Sequence, residues 1–504
     1  MSDAPPDDGL RDSYDQLPYE TRARRKTHPD TLATVATVFG LDPPDVTSAR
    51  VLELGCGTGE NLLAIACALP HARCVGVDFS VPQIAQAETL GAESGISNAR
   101  FICSDFKELD RSSQYDYVIA HGLLSWIPPA RHDELLSLCR DILAPGGLLY
   151  LSYNALPGWH HRRIVRDFLL QETADIDDVG EKVRTARSAL AALTETVRGL
   201  DWAYGQIIAD ENDNVGKLGD SYLAHDLLET HNTAFYFDDI VRAGETRDLF
   251  YVGEAGFEAM IPDTYPPAIA EALKTIPDFH ARERRLDFLT NRTFRESVFV
   301  KGHRPARQPD QRTLAKLFVA SPLQRKPGQG DTATALAYQN PGGIEIAVDA
   351  GVAQQALDLL GAVYPEARSL EAILGHVQQN QGRALEHNTI MTLMSTLFAL
   401  YARGLVYLYK SPPSVTAAID LRPVTTALAR VQAQRGSRVT TMLLDNIEID
   451  DADCRAVLPH LDGRHDRGAL ASFLSDDGGN ATARLETALT KLARAGLLTN
   501  ATSS

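Results

Sequence analysis

Cysteine is scarce in this chain. Its six cysteines in 504 residues (Cys56, Cys67, Cys74, Cys103, Cys139 and Cys454) show none of the paired spacings that ligate a metal. A zinc module and a disulfide scaffold are therefore not expected. Five of the six fall in expected strands or helices of one domain, which reads as buried, reduced thiols in a cytoplasmic protein. Long apolar runs are missing as well, and none approaches the roughly 20 residues of a membrane-spanning helix. Residues 1 to 9 are acidic and carry prolines, unlike the basic and apolar parts of a signal peptide. Basic charge is in deficit, with 49 Lys and Arg against 66 Asp and Glu and a net charge of −17. Affinity for phosphate backbones rests on clustered Lys and Arg, so this balance argues against nucleic acid as the main partner. One compact basic run, Arg22, Arg24, Arg25 and Lys26, reads as solvated surface. What remains is ordinary globular material, 44% hydrophobic and 23% charged, long enough for three or four domains at roughly 150 residues each.

The most informative stretch is Val51-Leu52-Glu53-Leu54-Gly55-Cys56-Gly57-Thr58-Gly59-Glu60-Asn61, followed by Val75-Gly76-Val77-Asp78. It reads as a strand, a glycine turn opening a helix, and a second strand ending in a carboxylate. A ligand is expected at that helix N-terminus, with Asp78 placed to grip a ribose diol. A dinucleotide turn is spaced Gly-x-Gly-x-x-Gly. Here the third glycine comes one place early, and Glu53 would repel a pyrophosphate and attract a cation. Alternating apolar runs and helical patterns from Arg50 to Tyr153 predict a parallel α/β sheet. Its strands are expected near 50–54, 73–77, 100–103, 116–120 and 147–152, and its helices near 60–69, 81–94 and 131–143. Ligands bind outside the carboxyl ends of such strands. Cys103-Ser104-Asp105-Phe106 and Phe79 are thus expected at an adenine. His121, Ser125 and Trp126 after the fourth strand, and Tyr153, Asn154 and Trp159 after the fifth, are expected at the reacting centre.

The set Glu53, Gly55, Gly57, Gly59, Asp78 and Asp105 resembles motif I and its partners in the class I S-adenosylmethionine-dependent methyltransferases. The resemblance implies S-adenosyl-L-methionine as cofactor, held by Glu53, Gly55, Cys56, Gly57, Gly59, Asn61, Asp78, Phe79, Ser104, Asp105, Phe106 and His121. A narrower resemblance rests on Tyr14-Asp15-Gln16-Leu17-Pro18-Tyr19, Thr27-His28-Pro29-Asp30, His121-Gly122 with Ser125-Trp126, and Ser152-Tyr153-Asn154 with Pro157-Gly158-Trp159. It continues at Ser221-Tyr222-Leu223-Ala224-His225, Phe235-Tyr236-Phe237, Tyr251-Val252-Gly253-Glu254-Ala255 and Asp287 to Arg295. Together these are similar to a bacterial methyltransferase family with a so-called regulatory domain, whose best-known members methylate lysines of rickettsial outer-membrane proteins. Tyr14, His121, Trp126, Tyr153, Asn154 and Trp159 are the expected catalytic set. The aromatic rings would desolvate a lysine amine, and Asn154 and Tyr14 would accept its N–H bonds. A small metabolite as N- or O-methyl acceptor is the alternative, and a binding protein with a relic cofactor pocket is the third reading.

The expected architecture is a Rossmann-like seven-stranded methyltransferase core with a helical insertion, followed by mainly α, winged-helix-like modules. Its divisions are a cap at 1–48 over the active site, a core at 49–260 with the insertion near 160–215, regulatory helices at 261–305, and modules at 306–412 and 413–504. Tyr222 to Leu228 and Leu249 to Val252 are expected to return to the sheet. Ile344-Glu345-Ile346 and Ile447-Glu448-Ile449 each precede a helical run ending in a glycine cap, at Gly404 and Gly496. Residues 413 to 504 hold ten Lys and Arg against eleven Asp and Glu. With no basic footprint for DNA, these modules are expected to dock protein or to support a homodimer.

Overall fold

The structure is a computed structural model that describes residues 15–17, 21–200, 202–327, 335–474 and 480–500. Its centre is one mixed sheet. In chain order the strands are β1 (Arg50–Leu54), β2 (Arg73–Asp78), β3 (Ala99–Cys103), β4 (Tyr115–Ala120), β5 (Leu143–Ala155), β6 (Ala234–Phe235), β7 (Leu249–Glu254) and β8 (Phe294–Lys301). The spatial order is β3-β2-β1-β4-β5-β8-β7, with β6 paired to the end of β5. β1 to β5 run parallel, whereas β8 is antiparallel to both neighbours. The parallel strands β1, β2, β4 and β5 are mostly buried on both faces, which is why they read as unbroken apolar runs rather than alternating ones, while the edge strand β3 is only partly covered. Helices Glu60–Ala68, Val81–Glu93 and His132–Ile142 supply those covers.

Two expectations about the sheet need correction. Tyr222 to Leu228 does not return to it, because Asp220–Leu223 is α-helical and runs on into a π turn at Ala224–Leu228. The sheet also does not end near residue 260. Its antiparallel strand comes from Phe294–Lys301, after two helices (Pro267–Lys274 and Phe279–Thr290). That strand is pinned by a fully buried Arg295, which donates to Glu254 at 2.6 Å, Glu283 at 3.2 Å and Asp287 at 2.8 and 3.0 Å. Burying one guanidinium requires matching carboxylates, and two elements supply the three of them, β7 with Glu254 and helix Phe279–Thr290 with Glu283 and Asp287.

Helices Trp159–Glu172, Val179–Val197 and Ala203–Lys217 form a separate core in which Val183, Ala186, Leu190 and Val197 are buried. Beyond Lys301, Phe318–Ala320 pairs with Tyr407–Tyr409 beside helices 352–363, 370–381 and 387–401. The last segment sets the hairpin Arg438–Thr440/Asn446–Glu448 beside helices 452–457, 467–471 and 481–494. The final helix of each of these segments ends in the same way. Gly404 and Gly496 take φ of +68° and +76°, and the next N–H reaches back to Leu400 O or Leu492 O at 3.0 Å. Glycine is the residue that enters this left-handed cap without a Cβ clash. No disulfide joins the cysteines; four are buried, Cys67 is half-buried and Cys103 is exposed rather than buried as expected. Among the described residues no helix is long and apolar enough to cross a membrane.

Candidate active site

At the carboxyl ends of the parallel strands lies a cavity of about 410 Å³. Its first wall follows from the glycine turn. β1 delivers Glu53 and then the loop, whose Gly55 and Cys56 N–H groups bond Val77 O at 2.8 and 3.1 Å. Gly57 has φ +53° and donates to Asp78 Oδ2 at 2.9 Å. A Cβ there would stand 2.4 Å from Thr21 Cγ2, so backbone and N-terminal segment approach as closely as only glycine allows. Asp78 also accepts from Ser80 N at 2.9 Å. Burial raises the Asp78 carboxyl, and these backbone bonds work against that rise.

Glu53 is buried beneath this turn. Its Oε1 accepts from Asn61 Nδ2 at 2.8 Å, and Asn61 is oriented in turn by Arg24 N and Thr27 Oγ1 at its own oxygen. Burial lifts the Glu53 carboxyl to about 7, against the pull of Asn61 and Arg24. Its Oε2 has no hydrogen-bond partner. Three of the twelve such buried atoms among the described residues line this cavity: Glu53 Oε2, Gln83 Oε1 and Trp159 Nε1. A buried acceptor left unmatched costs about 1–3 kcal/mol, so a ligand carrying an ammonium and hydroxyls recovers energy here. Two acceptors beside a glycine cradle fit the amino-acid and ribose parts of S-adenosyl-L-methionine.

The second wall is assembled from distant segments. Trp126 is fixed by its Nε1–H bond to His225 O at 2.7 Å, and His225 in turn bonds Glu229 and Leu17 O. Asn154 uses its backbone N–H on Ser125 Oγ at 2.8 Å and its side-chain NH₂ on Asn232 at 3.1 Å, which leaves Oδ1 as its acceptor. The Arg162 guanidinium lies 4.7 Å from the Trp159 ring centroid and pairs with Glu211 and Asp226 at 3.0 and 3.2 Å. His121 is half-buried, its ring stacked 5.8 Å from Tyr150. Burial pushes its imidazole well below the usual range, and the charges of Arg24 and Lys26 add to that.

Of the residues expected at the site, the cavity brings together Glu53, Gly55, Cys56, Gly57, Asn61, Asp78, Phe79, His121, Trp126, Asn154 and Trp159. Gly59 is not among them. A Cβ there would collide at 2.7 Å with Ala87 and Phe101, so this glycine serves helix packing. Ser104, Asp105 and Phe106 also stand outside the lining. Asp105 is clamped by Arg131 at 2.6 and 3.0 Å, with the guanidinium 4.1 Å above the Phe106 ring. Burial opposes ionisation of Asp105, yet the Arg131 bonds outweigh it and hold the carboxyl below its usual range. Tyr153 points to the other face of β5, where it is fully buried and lies 3.3 Å from Ser297 Oγ. Successive side chains of a strand alternate faces, so Asn154 and Tyr153 cannot both enter one cavity. Tyr14 lies outside the described residues.

Sequence reasoning missed Thr21, Arg22, Arg24, Gln83, Arg162, Tyr222, His225, Asp226, Thr293, Phe294 and Glu296, all of which line the cavity. Arg22, which is exposed as expected, and the half-buried Arg24 thus both line the cavity. Arg25 is held by Leu443 O and Asp445 at 3.0 and 2.8 Å. The signal available for the others was the quoted segments around Tyr222-His225 and Thr293-Phe294, which carried the family resemblance without a chemical reason.

Comparison with known proteins agrees with this geometry. Three family models match: a methyltransferase domain over residues 51–147, a predicted methyltransferase regulatory domain over 219–301, and a PKMT C-terminal winged helix domain over 422–487. An uncharacterized protein of Rickettsia prowazekii is 34% identical over 56% of this chain, and the match spans only 52% of that relative. The trans-aconitate 2-methyltransferase of Streptomyces avermitilis is 33% identical over 36% of this chain and 68% of its own length. In fold, the chain is similar to PKMT2 from Rickettsia typhi in complex with AdoHcy, with a TM-score of 0.83 and 24% identity over 96% of this chain and all of that one. The chain belongs to the class I S-adenosylmethionine-dependent methyltransferases, in the group that carries a methyltransferase regulatory domain.

Proposed function

We propose that the chain transfers a methyl group to the side-chain amine of lysine in a protein substrate. The observation that carries this reading is the second wall: past the glycine cradle the cavity continues between Trp126, Trp159 and Tyr222, with the Asp226 carboxylate among them. Aromatic faces attract an ammonium, and their dryness lowers the amine's pKa and favours the neutral nucleophile. S-adenosyl-L-methionine, when bound, supplies an activated methyl on a sulfonium. Glu53 and Gln83 would hold its ammonium and a hydroxyl, Asp78 its ribose, and Asn154 Oδ1 an N–H of the incoming amine. No covalent catalyst is required. Holding the nucleophile in line at near-attack distance supplies up to about 7–11 kcal/mol. The winged-helix match and the PKMT2 likeness support a protein acceptor.

A small carboxylate metabolite is a second reading, supported by the trans-aconitate 2-methyltransferase relative and by Arg22, Arg24 and Arg162 on the wall. Incubating the full chain with tritiated S-adenosylmethionine and a lysate of its source separates them. Label in protein, recovered as methyl-lysine after acid hydrolysis, is the expected result. Label confined to the small-molecule fraction contradicts the lysine reading.

A further inference from the structure

His121 is constrained beyond what a cavity wall requires. Its Nδ1 lies 2.9 Å from Tyr150 Oη and 3.3 Å from Ser152 Oγ. Tyr150 and Ser152 lie two apart on β5 and share a face with Asn154. Tyr150 Oη in turn lies 3.0 Å from Glu296 Oε1, on the neighbouring strand β8, while Glu296 Oε2 takes Lys26 Nζ at 2.6 Å. The carboxylate, paired with an ammonium, has no hydrogen to give. Tyr150 must therefore spend its one hydrogen on Glu296, so the Tyr150 oxygen accepts from His121, and Nδ1 carries the ring hydrogen. Ser152 Oγ, which accepts Gly122 N–H at 2.8 Å, lies within reach of the same edge. A neutral imidazole with hydrogen on Nδ1 offers a lone pair on Nε2. The charged and titratable groups around the ring are Arg24 and Lys26 from the N-terminal segment, Tyr150 from β5 and Glu296 from β8.

We infer that Glu296 and Tyr150 are positioning residues that hold His121 with Nδ1–H inward, so that its Nε2 lone pair accepts the hydrogen of the methyl-accepting nucleophile. The inference rests on the methyl-transfer reading of this cavity and applies to any nucleophile bearing N–H or O–H. For an amine, an N–H bonded to Nε2 aims the nitrogen lone pair. As the C–N bond forms and the C–S bond breaks, the sulfur keeps the bonding pair. The proton shed by the alkylated nitrogen passes to Nε2, and a ring unfavourable to charge releases it to water. Lys26 donates to Glu296 Oε2, leaving Oε1 to accept from Tyr150 and so maintaining the direction of every bond in the chain.

The full chain with ¹⁵N-labelled histidine and S-adenosylhomocysteine tests this, the His121 signal being recognised by its loss in His121→Gln. The expected spectrum shows hydrogen on Nδ1 in the wild type and a shift toward hydrogen on Nε2 in Tyr150→Phe and Glu296→Ala. A wild-type ring with hydrogen on Nε2, or no tautomer change in either variant, overturns the inference. Turnover is read as tritiated methyl transfer to poly-L-lysine. Tyr150→Phe and Glu296→Ala should lose about tenfold in kcat with less than twofold change in cofactor KM, and Glu296→Gln, which keeps an acceptor oxygen, should recover most of it. Undiminished kcat in Tyr150→Phe contradicts the inference. A wild type inert toward poly-L-lysine counts against the lysine reading, while the tautomer still decides this one.

Discussion

The two walls of the cavity are built by opposite means. The cofactor wall comes from one continuous strand-turn-helix and the tip of the adjacent strand, and its bonds are short in sequence: Gly57 to Asp78, Asn61 to Glu53, Ser80 to Asp78. The acceptor wall gathers Trp126, Asn154, Trp159, Asp226 and Glu296 from five segments held by contacts between residues distant in sequence, such as that of Trp126 with His225 and that of Glu296 with Lys26. A wall made from local backbone geometry tolerates no new Cβ and tunes little. One made from tethered side chains can be re-cut by a single substitution while the fold stands, which suits a family that shares a cofactor but not an acceptor.

The sharpest way to break this contrast is on the cofactor side. Gly57→Val forces a branched side chain into Thr21 at a positive φ, and S-adenosylmethionine affinity measured by calorimetry should fall by at least about 100-fold. On the acceptor side, Trp126→Ala and Asn154→Ala should each lower kcat by at least about tenfold while shifting cofactor affinity by less than about twofold. Equal losses in both measurements would erase the division between the walls. Glu53 sharpens it through pH. Its carboxyl, raised to about 7 by burial, is largely protonated below that pH and must ionise to meet a ligand ammonium. Cofactor binding should therefore weaken as pH falls from about 7 to 5.5, by at most about tenfold per unit, and release a proton within that range. Glu53→Gln should bind more weakly and lose this dependence. The same raised value works against the empty fold, since it exceeds the unfolded carboxyl's ordinary value. Stability contributed by the neutral form is present below about 4.5 and is lost as pH rises through about 7, so Glu53→Gln should unfold at a higher temperature than the wild type at pH 8. The smallest effect belongs to Asp105→Asn, which should change cofactor affinity by less than about threefold because that carboxylate faces Arg131.

The same division governs what could be read before the fold was known. Glu53, Gly57, Asn61 and Asp78 were legible because their chemistry is written in one local pattern whose spacing has a steric cause. Asp105 and Phe106, read by the same logic at the next strand tip, stand outside the cavity lining, against Arg131, which sits 26 residues away in a turn without any motif. Tyr153 failed on strand phase: Ser152 and Asn154 face the cavity side of β5, and the residue between them must face away. A charge run reads as solvated surface, which holds for the exposed Arg22, and only the fold shows Arg24 half-buried on the cavity and Arg25 bridging to Asp445 and Leu443 in the last segment. The sheet order was accessible up to β5, where strands alternate with helices. It was legible again at Leu249 to Val252, which forms β7 as expected, but the two-residue β6 and the antiparallel β8, which arrives only after two further helices, were missed.

The most direct test of the account is a crystal structure of the full chain with S-adenosylhomocysteine. The ammonium should lie against Glu53 Oε2, the ribose on Asp78, and the sulfur should face the space between His121, Trp126 and Asn154. A nucleoside bound elsewhere, or one seated with its sulfur toward Arg131 and Asp105, would contradict it.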